Sequence, residues 1–199
     1  MLIPRDFFAR PSVEVAPDLL GCVLEHETAD GLVAVELTEV EAYAGQSDPA
    51  SHAYRGKTRR NAVMFGPPGH AYVYFTYGMH FCVNMVCLGE QGSASAVLLR
   101  AGAIIAGEDL ARARRTRGAA SVASRDLARG PARLCQALGI DRAFDGADLT
   151  GQDQRMAILD DGVAPPQRPG RSTRIGLSVG VEARWRWFVP GDENVSRTR

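Results

Sequence analysis

Long apolar runs are missing from this chain of 199 residues, although 45% of its residues are hydrophobic. No stretch reaches the roughly 18 consecutive apolar residues that a membrane-spanning helix requires. Residues 1–6 also lack the basic and then apolar pattern of a signal peptide. We therefore expect a cytoplasmic protein without a membrane partner, long enough to bury a sizeable core as one domain over residues 1–199.

Metal-binding and disulfide patterns are missing as well. The four cysteines form no CxxC pair, and the four histidines form no HxH or HExxH motif. The cysteines are Cys22, Cys82, Cys87 and Cys135. We expect reduced thiols in the core, with Cys82 and Cys87 on opposite faces of one strand because their parity differs. P-loop, GxGxxG and GxSxG patterns are absent too, so the sequence predicts no metal and no cofactor.

Lysine is almost missing, and the charge, which sums to zero, is unevenly distributed. Lys57 is the only lysine, and residues 14–48 contain neither lysine nor arginine. Residues 55–60 and 112–117 are basic, and three more arginines follow them at Arg125, Arg129 and Arg133. Basic clusters on one face are typical of a protein that binds a phosphate backbone. Arginine runs are also common on solvated surfaces, so this pattern alone leaves both interpretations open.

Neither repeats nor a linker divide the chain, which favours a single domain. Hydrophobic periodicity and the positions of Pro and Gly predict mixed helices and strands. In chain order these are a helix through 13–20 capped by Ser12, strands at 22–27 and 32–43, a hairpin within 71–85, a strand at 95–101, helices at 108–115 and 130–139, and strands at 174–179 and 184–189. Residues 190–199 are predicted to form a tail.

The predicted strand at 32–43 carries acidic side chains at positions where its alternation predicts side chains that face the core. Its odd positions begin with apolar residues and continue with Glu39, Glu41 and Tyr43. A buried carboxylate costs free energy unless it is paired, hydrated or used in chemistry. A bulge or an exposed strand end would remove the anomaly, so the pattern alone does not decide between structure and function.

The hairpin within 71–85 has a large aromatic residue at its tip. Gly78-Met79 is predicted as a two-residue loop with glycine first, as a type II′ turn prefers. Tyr77 then lies at the tip with Met79 beside it, where small polar residues are usual. Two interpretations remain: Tyr77 folds back onto its own sheet, or it enters another molecule as a wedge.

A small set of side chains could carry chemistry on a flat, electron-poor ring. Glu41 is close in sequence to Tyr43 and His52, and a carboxylate of this kind suits water activation or an oxocarbenium-like centre. Each member also has a purely structural interpretation, such as core packing or ion pairing. The further candidates are the aromatic residues Tyr72, Tyr74 and Tyr77, the amide of Asn84, and Arg100 at the end of a predicted strand.

Several segments together resemble the alkyladenine (3-methyladenine) DNA glycosylase family. They occur in the family's order from about residue 7 to residue 189, at 39–45, 48–52, 64–65, 66–84, 97–101 and 130–138. The resemblance implies an α+β fold: a single mixed domain with a curved antiparallel β-sheet, surrounded by helices and carrying a protruding β-hairpin.

The resemblance also implies roles for individual residues. Glu41 matches the general base that activates the water attacking the sugar C1′, and Arg100 matches the arginine that holds this water and the flipped nucleotide. The backbone carbonyl of Ile175 is implied as a further water contact. The residues that match the family's base pocket are Tyr43, His52, Tyr74 and Asn84. Asn84 matches the amide that excludes normal guanine.

At the DNA surface, the resemblance implies that Tyr77, with Met79 beside it, is the wedge that enters the minor groove. Phosphate contacts are predicted, from the basic clusters and the start of the helix at 130–139, for Arg59, Arg60, Arg129 and Arg133. His80 departs from the tyrosine of mammalian members, and the basic turn at 56–60 is one residue shorter.

The function implied is a monofunctional DNA glycosylase of base-excision repair. It would flip 3-methyladenine or 7-methylguanine, with hypoxanthine and ethenoadenine as further candidates, out of double-stranded DNA and leave an abasic site. We expect a nucleoid-associated monomer that needs no cofactor. Two alternatives are a non-catalytic nucleic-acid-binding module on the same fold and a hydrolase of free nucleosides or glycosides.

Overall fold

An antiparallel β-sheet organises the computed structural model, which describes residues 1–88, 93–116, 121–151 and 155–197. The strands run in the order β3-β4-β5-β2-β1-β6, while β8 pairs with both β2 and β7. The sheet curls into a half-barrel. In the described part of the chain its strands are β1 Val23–Thr28, β2 Gly31–Tyr43, β3 Ala71–Thr76, β4 His80–Leu88, β5 Ala94–Ala106, β6 Met156–Leu159, β7 Gly170–Ser172 and β8 Arg186–Phe188.

Four α-helices accompany the sheet within the described ranges, and together they confirm the predicted α+β domain. They are α1 Arg5–Phe8, α2 Ser12–Asp18, α3 Glu108–Thr116 and α4 Pro131–Leu138. The predicted helix at 130–139 is confirmed, with Pro131 in its first turn and Gly139 in the left-handed conformation at φ +73°. Its Leu134, Ala137 and Leu138 are completely buried in the main core.

Helix α2 differs from its prediction at the start. Ser12 is its first residue rather than its cap, because Pro11 takes the cap position and no side chain caps the helix. The Ser12 hydroxyl instead donates a hydrogen bond to the backbone oxygen of Tyr43, 3.1 Å away. The helix is thereby attached to the end of β2, where the candidate site lies.

Strand β2 confirms the long strand predicted at 32–43 and resolves its anomaly. Its register against β5 shifts on both sides of Glu39, so a bulge is present. The strand end is not exposed, since Glu39 and Glu41 are both fully buried. The bulge therefore does not carry the carboxylates to solvent; both must be satisfied inside the protein.

The late part of the chain departs most from the predicted elements. Residues 174–179 form no strand, because the backbone N–H of Ile175 donates to Glu41 instead of to a neighbouring strand. The strand predicted at 184–189 is present in shorter form as β8, whereas β6 and β7 were not predicted. The predicted tail is attached to the sheet through Ser196, whose N–H donates to Glu39 at 2.7 Å.

The hairpin of β3 and β4 is confirmed, but its turn is centred one residue earlier than predicted. Thr76 pairs with His80, and the Met79 N–H donates to the Thr76 oxygen at 3.2 Å. Tyr77 and Gly78 both have positive φ, +50° and +68°, as the two central residues of a type I′ turn do. Tyr77 is 82% exposed, so it does not fold back onto its own sheet.

The thiols lie where their parity predicts. All four cysteines are buried and free. Cys87 belongs to the main hydrophobic core, whereas Cys82 lines a pocket on the other face of β4. None of the described helices is long and apolar enough to cross a membrane.

Candidate active site

A pocket of about 360 Å³ opens beside the hairpin, at the meeting point of β2, β3, β4 and β5. The irregular segment after Thr173 closes it from the other side. Most of the side chains predicted for chemistry meet here, although they come from distant parts of the chain. The lining includes Tyr43, His52, Arg60, Tyr72, Tyr74, Tyr77, Cys82, Asn84, Arg100 and Ile175.

Aromatic rings form the walls of this pocket. His52 meets Tyr74 edge to face at 4.5 Å between ring centroids, and Tyr72 stacks on Tyr74 at 5.5 Å. His52 Nδ1 is hydrogen-bonded to the Tyr72 hydroxyl at 2.9 Å. Desolvation and the nearby Arg60 lower the pKa of His52 below its ordinary value, so the ring is neutral at pH 7. The walls therefore present π faces and uncharged edges.

Two of the tyrosines that line the pocket, Tyr43 and Tyr74, stay protonated. Burial, followed by the Glu41 carboxylate, raises the pKa of Tyr43. Burial, followed by Cys82, raises the pKa of Tyr74. Asn84 is also fixed, because its amide nitrogen donates to the backbone oxygen of Tyr72 at 3.0 Å. These groups act as neutral hydrogen-bonding groups around the pocket.

Glu41 lies directly behind the pocket wall with both oxygens engaged. Oε1 accepts a hydrogen bond from the Ile175 N–H at 2.7 Å, and Oε2 accepts one from the Tyr43 hydroxyl at 2.9 Å. Arg100 Nη1 is 3.3 Å from Oε1. A carboxylate oxygen has two lone pairs, so Oε2 can still accept one more proton donor, such as a water molecule in the pocket.

Arg100 is shared between two carboxylates. Its Nε donates to Glu39 Oε1 at 2.9 Å while its Nη1 faces Glu41. Burial lowers the pKa of Arg100, but Glu41 and Glu39 together raise it above its ordinary value. The guanidinium is therefore a permanent cation beside the pocket.

A second arginine, Arg186, was missed by the analysis of the sequence. Its Nε donates to Glu39 Oε1 at 2.6 Å from the adjacent strand β8. Ser196 donates to the other Glu39 oxygen through both its backbone N–H and its hydroxyl. Burial raises the pKa of Glu39, but Arg100, Ser196 and Arg186 outweigh burial and lower it below the ordinary value.

Arg174 was also missed, although Ile175 beside it was predicted. It forms a buried ion pair with Asp48, with nitrogen–oxygen distances of 2.5 and 2.8 Å. Its guanidinium carbon lies 4.7 Å from the ring centroid of Tyr43. This pair holds both Tyr43 and the Ile175 N–H against Glu41. Asp48 begins the segment at 48–52 that carries the resemblance, and Arg174 precedes the implied residue Ile175; this proximity is the one signal that could have identified them.

The two residues at the hairpin tip face different sides. Tyr77 borders the mouth of the pocket, whereas Met79, 68% exposed, lines a separate groove beside α4. The structure thus brings Tyr77, and not Met79, to the site. The Ile175 N–H donates to Glu41, while the contact between the Ile175 carbonyl and a water molecule stays a prediction.

The predicted phosphate contacts fall into two groups. Arg59 and Arg60 are exposed near the mouth, and the Arg60 guanidinium lies 5.7 Å from the Tyr74 ring centroid. Arg133 is half exposed, 3.7 Å from Asp126. Arg129 is used inside the fold, because its Nε donates to the Val195 oxygen at 2.8 Å. This internal bond argues against the predicted phosphate contact of Arg129.

No cluster of three or more histidine, cysteine, aspartate or glutamate side chains in the described ranges is placed to hold a metal ion. The chemistry that the arrangement allows is that of a buried carboxylate, a fixed cation and stacked aromatic rings.

Comparison with known proteins gives consistent similarities. The model of a family described as methylpurine-DNA glycosylase (MPG) matches residues 6–193. A protein of Burkholderia cenocepacia is 54% identical over 195 residues, covering 98% of this chain and 91% of the relative. A protein of Streptomyces avermitilis is 52% identical over 200 residues, covering 99% and 92%. Both carry the name "Putative 3-methyladenine DNA glycosylase".

A more distant relative has the same name and the same extent. The protein of Carboxydothermus hydrogenoformans is 47% identical over 197 residues, which cover 99% of this chain and 100% of the relative. The similarity therefore extends over the whole domain rather than over an isolated motif.

Proposed function

This chain belongs to the methylpurine-DNA glycosylase family, and on that premise we propose that it excises alkylated purines from double-stranded DNA by a water molecule that Glu41 activates. The observation that carries the proposal is the placement of Glu41. It is fully buried behind an aromatic pocket and held by Tyr43, Arg100 and the Ile175 N–H. A surface that only bound nucleic acid would gain nothing from such a carboxylate.

The target base must first leave the duplex, because its glycosidic bond cannot be reached inside the stack. Flipping costs roughly a few kcal/mol, and a damaged base lowers that cost. Tyr77, exposed at the tip and bordering the pocket mouth, is the side chain proposed to fill the vacated space from the minor groove. Arg59, Arg60 and Arg133 are proposed to contact the flanking phosphates.

The pocket suits a cationic purine. Stacking on an aromatic side chain is worth roughly 1–3 kcal/mol per base, and a positively charged base is attracted further by the π face. Tyr43, His52 and Tyr74 would provide these faces, while Asn84 would crowd the 2-amino group of normal guanine. We propose 3-methyladenine and 7-methylguanine as the main substrates, with hypoxanthine and ethenoadenine as further ones.

In the proposed reaction, a water oxygen attacks C1′ while Glu41 accepts a proton from the water. The bond between C1′ and the purine nitrogen breaks, and its electron pair leaves with the base. An alkylated purine is cationic before cleavage, so it departs as a neutral base without prior protonation. Arg100 would hold the water and the nucleotide. The product is an abasic site, with the strand left intact, because a Schiff base needs an amine and Lys57, the only lysine, is exposed and does not line the pocket.

Replacement of Glu41 by glutamine tests this proposal. We expect Glu41→Gln to lower release of 3-methyladenine from a single-lesion duplex by about 10²–10⁴-fold, the usual contribution of a general base. Binding to abasic-site DNA should be retained, and the monomer should remain folded. Glu36→Gln is the matched control, because Glu36 lies on the same strand outside the pocket. Unchanged base release by Glu41→Gln would contradict the proposed role of Glu41, whereas absence of base release by the wild-type chain would favour the non-catalytic binding module.

A further inference from the structure

The interior of the described domain contains a second carboxylate, that of Glu39, that the reaction proposed above does not use. Glu39 is fully buried at the bulge of β2, two residues before Glu41. A carboxylate buried in this way is costly unless paired and hydrogen-bonded. Its partners come from β5, β8 and the segment at 190–197, so three distant parts of the chain meet at one group.

The two oxygens of Glu39 have different partners. Oε1 accepts hydrogen bonds from the Nε atoms of Arg100 and Arg186, at 2.9 and 2.6 Å. Oε2 accepts the two donors of Ser196, its backbone N–H and its hydroxyl. Arg186 Nη2 also donates to the Ser196 backbone oxygen at 3.1 Å. Ser196 therefore fixes the plane of the Glu39 carboxylate and one of the arginines beside it.

This arrangement determines how Arg100 meets Glu41. An arginine next to a single carboxylate favours a two-pronged pair in which two N–H groups bind both oxygens. Here Glu39 takes Nε, and the shortest contact of Arg100 with Glu41 is that of Nη1 with Oε1, at 3.3 Å. The guanidinium therefore does not occupy every lone pair of the Glu41 carboxylate, and a water molecule can still donate a hydrogen bond to it. Arg186 supplies the second positive charge that balances Glu39.

We propose that Glu39 is a positioning residue for base excision, and that Ser196 holds Glu39 so that Arg100, bound to Glu39 through Nε, presents Nη1 to Glu41. Ser196 thus acts on the reaction through Glu39 and Arg100. The inference rests on the proposed function, since it concerns the orientation of groups around the Glu41 water.

Ser196→Ala is the most direct test, because it removes one donor to Glu39 and keeps the backbone N–H. Asn194→Ala is the matched control in the same segment, since the Asn194 side chain bonds only to Asp192. Ser196→Thr should restore the hydroxyl. The measurements are single-turnover release of 3-methyladenine with enzyme in excess, the dissociation constant for abasic-site DNA, the thermal unfolding midpoint and the pH dependence of the rate.

We expect Ser196→Ala to lower the single-turnover rate by about three- to tenfold, the range for one lost hydrogen bond, with the dissociation constant unchanged. The acidic limb of its pH profile should move to higher pH, because Glu39 faces Arg100, Arg186 and Ser196 and loses one group that holds it ionised. Asn194→Ala should match the wild type, and Ser196→Thr should recover most of the rate.

Two results would overturn the inference. A Ser196→Ala rate and pH profile equal to those of Asn194→Ala would show that the contact does not reach the reaction. A rate loss that only follows the folded fraction, with the pH profile unchanged and no recovery in Ser196→Thr, would assign Ser196 to stability alone. Absence of base release by the wild-type chain would instead overturn the proposed function, which keeps the two failures distinguishable.

Discussion

At the scale of single residues, Tyr43 combines two functions in one side chain. Its ring forms a pocket wall, and its hydroxyl donates to Glu41 at 2.9 Å. Arg174 lies over the ring and also precedes Ile175, whose N–H holds the other Glu41 oxygen. The proposed stacking surface for the base and the alignment of the Glu41 carboxylate are therefore set by the same local structure.

Tyr43→Phe separates these two functions, because it keeps the ring and removes the hydroxyl. A hydrogen bond to a charged group is worth about 1.5–3 kcal/mol. We expect the single-turnover rate of base release to fall about 10- to 100-fold, with affinity for abasic-site DNA unchanged. Tyr74→Phe is the control, since the Tyr74 hydroxyl is hydrogen-bonded to Cys82, and Glu41 is the smallest of the influences that raise its pKa. An equal loss in both variants would show that the Tyr43 hydroxyl has no special role.

The residue roles were predictable only in part. Local sequence patterns and the family resemblance pointed to Glu41, Arg100 and the aromatic walls; the structure brings Arg100 and these walls to one pocket, with Glu41 behind it. The partners of Glu39 were not predictable, because they lie between 61 and 157 positions away along the chain. Alternation along a strand indicates which face a side chain takes, but not which distant cation will meet it.

At the scale of elements, the hairpin shows which features local sequence patterns predict and which they do not. Its strands and exposed tip follow from alternation and glycine, but the turn is centred on Tyr77-Gly78 instead of Gly78-Met79. Tyrosine rarely adopts positive φ, so propensity favoured the other register. The observed register pairs Tyr72 with Asn84 and Tyr74 with Cys82 on the pocket face, and this packing outweighs the local cost.

Tyr77→Gly tests whether the tip is built for contact rather than for stability. A left-handed conformation costs an L-residue roughly 1–2 kcal/mol that glycine does not incur, and the Tyr77 side chain is 82% exposed. We expect the free energy of unfolding to stay equal or to rise, while affinity for lesion-containing duplex DNA falls at least tenfold. Denaturant unfolding and DNA titration measure the two effects. A marked loss of stability would mean that Tyr77 packs against its own sheet.

The prediction of a strand at 174–179 was wrong for a related reason, and the segment is irregular. Its apolar and polar residues alternate as in a strand, yet Gly176 has φ +77° and the Ile175 N–H binds Glu41. A backbone donor used by the site is not available to a neighbouring strand. Sequence-based prediction of elements is therefore weakest where backbone groups serve the site directly.

At the scale of the whole molecule, Glu39 connects elements that are far apart in the chain. It links β2 to β5 through Arg100, to β8 through Arg186, and to the segment at 190–197 through Ser196. The segment predicted as a tail is consequently part of the domain. Two arginines and two carboxylates balance in charge there, which allows all four to be buried.

Glu39→Gln should reveal this connection in the stability of the whole domain. Removal of one partner from a buried ion pair costs about 3–5 kcal/mol, so at pH 7 we expect the free energy of unfolding to drop by about that amount. The pKa of Glu39 is lowered in the folded state relative to its ordinary value of 4.5. The stability it contributes is therefore present above pH 4.5 and is lost as the pH falls through the folded-state value.

The difference between wild type and Glu39→Gln should accordingly shrink as the pH falls below about 4.5, because the wild-type carboxylate then takes up a proton as well. Denaturant unfolding of both proteins between pH 7 and pH 3 measures this convergence. Glu108→Gln makes the same change of charge in an exposed pair with Arg112 and should have little effect at any pH. A constant difference across the whole range would contradict the view that the charge of Glu39, rather than its shape, joins these elements.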